Sequence, residues 1–169
     1  MKRIYLLLII ALVVLVSNPV LAAKPEKMNQ YGSWGSYKFI DVNNKKICYI
    51  LSKPIRSSPD NVNHGENYFL VTKRNVVNNS TNEPQIIAGY NFKKASKVIV
   101  TIDSSKFVFF TEDNFAWLAN PAEEATFINT MRKGSTMEIQ ATSARGTSTK
   151  YSYSLKGVTS GLQNIQRCN

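Results

Sequence analysis

The chain has 169 residues, with 21 Lys and Arg against 11 Asp and Glu, and its formal charge at pH 7 is +10. This length suits one domain with a hydrophobic core and excludes a pair of full-sized domains. The excess of positive charge predicts a partner that carries negative charge.

The N-terminus has the three parts of a signal peptide. Lys2 and Arg3 precede an apolar run of 13 residues, 4–16, and small residues follow up to Ala22 and Ala23. A membrane span needs about 20 apolar residues, so an uncleaved anchor is the less favoured alternative. We expect a signal peptide over residues 1–22 and a single exported domain over residues 23–169. Losing the two basic residues lowers the formal charge from +10 to +8.

Alternation of apolar and polar residues predicts about eight strands. Residues 136–141 and 150–155 alternate most clearly, and the polar stretch 143–147 between them predicts a hairpin. The other predicted strands are residues 36–42, 46–51, 67–73, 85–90, 97–103 and 106–111. Parallel strands need long crossover connections, which are absent here. The pattern therefore predicts a mainly β fold, an antiparallel β-sandwich or barrel.

One well-capped helix is predicted after the sixth of these strands. Asn120 is a typical N-cap, Pro121 suits the first helical position, and Gly134 follows the last turn. Glu123 would complete a capping box with Asn120. Three residues are expected on the face that contacts a sheet: Ala125, Ile128 and Met131.

A short C-terminal helix is predicted over residues 158–167, with Val158, Leu162 and Ile165 on one face. It would bring Cys168 towards Cys48, the one other cysteine of the chain. In an oxidising compartment we expect a disulfide between the two, and two separate buried thiols are the alternative.

Two loops, residues 54–65 and 75–84, are expected to be exposed and irregular because they are rich in Pro, Asn, Ser and Thr. The single histidine, His64, lies in the first loop and is expected to be an exposed residue without a catalytic role. No Ser-His-Asp arrangement, metal-ligand spacing or phosphate-binding glycine loop is found in the sequence, so no catalytic, metal or cofactor-binding residue is proposed.

Residues 107–110, Phe-Val-Phe-Phe, place large apolar groups on both faces of one strand. A buried central strand is the favoured interpretation, and a surface used for contact is the alternative.

The order of these segments resembles the invasion-associated locus B family of exported bacterial proteins. The similarity runs from Gly-Ser-Trp-Gly at residues 32–35 to Cys168. It is carried by residues 48–54, 65–72, 87–92, 100–103, 116–118, 131–137, 143–147 and 153–157. The resemblance implies a protein of the periplasm or cell surface of a Gram-negative bacterium, named for a role in host-cell entry. It implies no reaction and no catalytic residue.

The leading hypothesis is a non-catalytic envelope or surface protein, without cofactors, that binds an anionic envelope component or a host surface. An exported protein meets anionic lipid and acidic polymers before nucleic acid, so nucleic acid is not expected as a partner, and any membrane contact would be peripheral. The candidate anion-binding residues are Lys93, Lys94, Lys97, Arg132, Lys133 and Arg145.

Two alternatives to this hypothesis stay open. A carboxylate-based envelope hydrolase would need two acidic side chains within about 5 to 10 Å in a concave pocket. A structural or chaperone-like periplasmic factor would need an apolar patch, for which an exposed Phe109 or Phe110 would be the sign.

Overall fold

The computed structural model describes residues 24–76 and 79–168. In this part of the chain, one antiparallel sheet of eleven strands packs against two α-helices. The strands are β1 Glu26–Tyr31, β2 Trp34–Ile40, β3 Lys46–Ser52, β4 Arg56–Ser58, β5 Tyr68–Val76, β6 Asn79–Ile87, β7 Lys97–Ile102, β8 Ser105–Glu112, β9 Phe115–Leu118, β10 Thr136–Thr142 and β11 Ser148–Ser154. The helices are α1 Glu124–Lys133 and α2 Val158–Gln166. The mainly β class is confirmed, with more strands than the eight expected. The signal peptide predicted over residues 1–22 lies outside the described residues.

The sheet is strongly curved, so that side chains from strands far apart in the strand order come into contact. Its strand order is β1-β2-β3-β5-β6-β9-β8-β7-β10-β11-β4. Phe69 on β5 lies 6.2 Å, between ring centroids, from both Phe109 on β8 and Tyr153 on β11. In a flat sheet β5 and β11 would be about 29 Å apart, because neighbouring strands are separated by about 4.8 Å. Trp34 on β2 also reaches across and donates from Nε1 to the carbonyl of Ser154 at 3.0 Å.

Helix α1 fills the space inside the curled sheet through three buried residues, Phe127, Ile128 and Met131. The Phe127 ring is 4.8 Å from Phe107 and 5.5 Å from Phe109, between centroids. Ala125, which was expected on this face, is exposed. Successive residues of an α-helix are about 100° apart, so Phe127, Ile128 and Met131 form one stripe and Ala125 lies to the side of it. A short 3-10 turn, Pro121–Glu123, precedes the α-helix.

Both helices begin and end close to the predicted positions. The side chain of Asn120 accepts a hydrogen bond from the backbone N–H of Ala122 at 3.2 Å, as an N-cap does. Helix α2 buries the three predicted residues and also Gly161, which lies against Ile50 of β3. Neither helix in the described part of the chain has the length and apolar character needed to cross a membrane.

A disulfide joins Cys48 on β3 to Cys168, just beyond α2, with a Cα–Cα distance of 6.3 Å. This distance is within the usual range for disulfides. The bond fixes the last described residue to the third strand, 120 residues earlier in the sequence.

Three strands were not predicted, and both loop expectations need correction. Strand β1 is an edge strand whose residues are mostly exposed, so it has no apolar alternation. Strands β4 and β9 have only three and four residues. The loop expected over residues 75–84 is wrong, because β5 and β6 stay paired as far as Val76 and Asn79. The loop over residues 54–65 contains β4, which pairs with β11. Backbone pairing extends these strands where the side chains show no apolar pattern.

Candidate functional site

A polar pocket of about 630 Å³ opens at one end of the sheet, where three connecting segments meet. The first segment runs through His64 and Gly65, the second follows β6 at residues 89–91, and the third is the β10–β11 turn with Arg145. These segments are far apart in sequence. Strand pairing brings them together, since the β10–β11 turn folds back onto the segment after β6 through the Phe92–Ser143 bridge.

Two glycines allow the first two segments to touch backbone to backbone. A Cβ atom on Gly89 would lie 2.5 Å from both the Cα of Gly65 and the carbonyl oxygen of His64. Gly65 itself has a φ of +59°, which favours glycine. Asn67 is buried beneath the contact, and its Nδ2 donates to the carbonyls of His64 at 2.8 Å and Gly65 at 3.2 Å. Its Oδ1 accepts from the N–H of Gly89 at 3.3 Å, so one side chain holds both segments.

His64 is half-buried in the pocket wall, so the expectation of an exposed histidine is wrong. Its Nε2 is 2.9 Å from the carbonyl oxygen of Pro59, which can only accept, and therefore Nε2 carries the proton. Its Nδ1 accepts from the hydroxyl of Tyr151 at 2.8 Å. Burial, and then hydrogen bonding with Tyr90, raise the pKa of Tyr151, which keeps this hydroxyl protonated as a donor. Both ring nitrogens are thus engaged in holding the loop to the sheet.

Several other polar groups of the wall also have partners. The hydroxyls of Tyr90 and Thr149 are 2.6 Å apart, and Thr149 donates onward to the carbonyl of Ala141 at 3.3 Å. The β10–β11 turn is closed by Ser143, whose hydroxyl accepts from the N–H of Thr147 at 3.1 Å. The pocket is therefore a preformed polar concavity with Arg145 on its rim.

Four of the six candidate anion-binding residues lie at this end of the sheet. Arg145 lines the pocket, and the N–H of Lys93 donates to the carbonyl of Thr142 in the adjacent strand at 2.9 Å. Lys94 follows in the chain. Lys97 begins β7 at the same end, where it is paired in register with Phe110 on β8. All four are exposed.

The other two, Arg132 and Lys133, lie at the opposite end. They close α1 just before Gly134, where an added Cβ would approach Ile102 at the far end of β7. The six residues of β7 separate this end from Lys97 by roughly 17 Å. The structure thus divides the six basic residues into a group of four and a pair.

A second concavity, a cleft of about 360 Å³, lies on the outer face of the sheet beside the start of α1. Phe110 and Trp117 form its apolar side, and Phe110 is 47% exposed although Phe107 and Phe109 are buried. The expected burial of the Phe-Val-Phe-Phe strand is therefore right for its inner face and wrong for Phe110. An exposed Phe110 is the feature expected of a structural or chaperone-like factor that works through an apolar patch.

Acidic side chains form the polar side of the cleft. Glu83, Glu112 and Glu124 all line it, together with Arg74, whose Nη1 is 2.6 Å from Oε1 of Glu83. Burial, and then the nearby charge of Glu83, raise the pKa of Glu124. Several carboxylates thus share one concavity, which is the kind of arrangement that the hydrolase alternative requires.

The fold and the two concavities define a class of protein: a disulfide-linked antiparallel β domain with two α-helices, a polar pocket with basic neighbours and an aromatic cleft. The sequence model of the family described as "Invasion associated locus B (IalB) protein" matches residues 41–166. The chain therefore belongs to the invasion-associated locus B family, and the resemblance seen in the sequence is confirmed. No curated protein and no solved structure shows a significant match to the chain.

Proposed function

We propose that this family member is an exported, non-catalytic protein that binds an anionic component of the cell envelope or of a host-cell surface through the polar pocket. The observation that carries the proposal is the position of Arg145 on the pocket, with Lys93 and Lys94 on the adjoining segment. Together they concentrate positive charge around a preformed concavity, which favours binding of phosphate, carboxylate or sulfate groups.

Two further observations support export and a negatively charged partner. Disulfides persist in oxidising compartments, and the Cys48–Cys168 bond fits such a location. The formal charge of +10 falls to +8 without Lys2 and Arg3, so the mature chain stays strongly basic. In the periplasm or at the cell surface of a Gram-negative bacterium, such a protein meets anionic lipid, lipopolysaccharide and acidic polymers, and contact with a membrane would be peripheral.

The test compares two double variants with the same change in charge. Lys94→Glu/Arg145→Glu reverses the charge beside the pocket, and Arg132→Glu/Lys133→Glu reverses it at the other end of the sheet. Both are measured for co-sedimentation with vesicles containing phosphatidylglycerol and for binding of lipopolysaccharide, at low and at physiological salt. We expect the first variant to lose binding and the second to keep it, with an affinity that falls as salt screens the charges.

Two results would contradict the proposal. Equal loss in the two variants would mean that net charge, rather than the pocket, governs binding. If the wild-type protein bound neither the phosphatidylglycerol vesicles nor lipopolysaccharide, the proposal of an anionic partner would lose its basis.

The non-catalytic part of the proposal has its own test, because Glu83 and Glu124 share the outer cleft. The protein is incubated with peptidoglycan and with soluble oligosaccharides, and new reducing ends are measured over time. We expect none above the buffer control. A release of reducing ends that Glu124→Gln abolishes would establish the carboxylate hydrolase instead.

A further inference from the structure

Three aromatic rings on two neighbouring strands form a ladder, and two of them, Phe110 and Trp117, line the outer cleft. Phe110 on β8 lies 5.5 Å from Trp117 on β9, between centroids, at an interplanar angle of 27°. Phe115, also on β9, lies 5.6 Å from Trp117 at 19°. The three rings therefore share nearly one orientation. Phe110 is 47% exposed and the other two rings are partly buried, so the ring surface that remains in water makes the ladder a candidate contact surface.

The helix start gives the ladder a second wall. Strand β9 leads through Asn120 directly into Pro121 and Glu124, both of which also line the cleft. Arg74 and Glu83, joined as an ion pair, complete this wall. The lining of the cleft thus combines apolar ring surface with charged hydrogen-bonding groups. Its volume of about 360 Å³ is at the lower end of the range for small-molecule sites.

The charge of the lining restricts the ligand. Three glutamates and one arginine line the cleft, so its local charge is negative although the chain as a whole is basic. Lys97, paired in register with Phe110, lies beside the cleft but outside its lining, so the lining itself disfavours an anionic lipid or acidic polymer. The same negative charge would attract a cation, but a cation-binding aromatic cage surrounds the charge with rings, whereas the rings of this ladder are nearly parallel. Choline is therefore included as a competing probe in the test below.

We propose that this cleft binds an uncharged saccharide. The apolar C–H face of a pyranose ring would lie against Phe110 and Trp117. Its hydroxyls would donate to the carboxylates of Glu83 and Glu124 and accept from the guanidinium of Arg74. This site shares no lining residue with the polar pocket, so the two proposals stand or fall separately.

Tryptophan fluorescence provides a direct test. The chain has two tryptophans, of which Trp34 is fully buried and Trp117 lies in the cleft wall. The mature protein is titrated with chitotetraose and with cellotetraose, two uncharged tetrasaccharides, to about 10 mM, which covers dissociation constants in the millimolar range. We expect a saturable change in emission that Trp117→Phe abolishes. Isothermal calorimetry on Trp117→Phe should still detect binding, since an aromatic ring remains.

Three further variants decide the interpretation. Phe110→Ser should weaken binding about tenfold, and Phe39→Ser, which alters an outer-face ring on β2, should leave it unchanged. Glu124→Gln provides a second variant within the cleft and should also weaken binding. Each variant is first checked by its thermal unfolding.

Several results would overturn the proposal. They are absence of a response to either tetrasaccharide, equal weakening by Phe110→Ser and Phe39→Ser, and tighter binding of choline than of either saccharide. If the protein instead suppressed aggregation of an unfolded client, without binding saccharide, and Phe110→Ser abolished that activity, the cleft would be a protein-binding patch.

Discussion

Reducing the Cys48–Cys168 disulfide should lower the free energy of unfolding by several kcal/mol while leaving the folded structure in place. The bond closes a loop of 120 residues. In the chain-entropy description, such a loop removes conformational entropy worth about 4.9 kcal/mol at 25 °C from the unfolded chain. Because strain and residual structure reduce this gain, 4.9 kcal/mol is an upper value, and the melting temperature should fall by roughly 10 to 20 °C at most.

The folded state should survive reduction because other contacts also hold the C-terminus. Leu162 and Ile165 of α2 are fully buried, and Lys73 on β5 donates from Nζ to the carbonyl of Gln166 at 2.9 Å and to that of Cys168 at 3.2 Å. The effect of the bond should therefore come mainly from the unfolded chain. Comparing oxidised with reduced wild-type protein avoids the cavity that a substitution of buried Cys48 would create.

The assay is equilibrium unfolding in guanidinium chloride with and without reductant. The two slopes are fitted separately, because the reduced unfolded chain exposes more surface. Mass spectrometry of protein isolated without reductant first shows whether the thiols are paired. Two free thiols, or a difference in unfolding free energy below about 1 kcal/mol, would refute the reasoning that the bond stabilises by closing a long loop.

Three further substitutions test the core, the pocket and the cleft. Phe127→Ala should lower the free energy of unfolding by about 3 to 5 kcal/mol, measured by chemical unfolding. Phe110→Ala, on the exposed face, should lower it by under about 1 kcal/mol. Equal losses would contradict the assignment of inner and outer faces. Gly89→Ala should lower the free energy of unfolding more than Gly146→Ala does, because its methyl group would meet the backbone of Gly65 and His64. At Gly146 only the positive φ opposes a side chain, and the loss should be about 1 to 2 kcal/mol. Glu124→Gln should raise stability at pH 7, because a raised carboxyl pKa means that folding disfavours the ionised form. This gain should disappear below roughly pH 4, where Glu124 is protonated in both states, and a gain that persists there would show that charge is not its cause.

Periodicity predicted the strands that have one buried face and missed those that do not. All eight predicted strands overlap observed ones, because alternating side chains such as Val98, Val100 and Ile102 report burial directly. Strand β1 has the sequence EKMNQY and forms only through pairing with β2. The hairpin of β5 and β6 likewise extends into polar sequence, since backbone hydrogen bonds do not depend on apolar side chains.

The sites were harder to predict than the fold because each is built from strands and loops that are far apart in the sequence. Strand β9 lies between β6 and β8, and this pairing is what brings Trp117 beside Phe110. The outward direction of Phe110 could have been read from its neighbours, since Phe107 and Phe109 alternate with it. In the pocket, His64 and Arg145 are brought to one wall by contacts between loops, and no local sequence pattern records such contacts.

Opposite local charges explain why the net charge of the chain does not define its partners. Basic residues gather around Arg145 at the pocket, and glutamates gather around Trp117 at the cleft. An anion would therefore be attracted to one and repelled from the other. If the two bind different ligands, Lys94→Glu/Arg145→Glu should leave saccharide binding unchanged, and Phe110→Ser should leave vesicle binding unchanged. The opposite result would be that both variants weaken the binding of one acidic glycan. The pocket and the cleft would then be parts of a single extended surface. On that surface the basic residues would attract the glycan, and the aromatic ladder would bind one of its uncharged sugar rings.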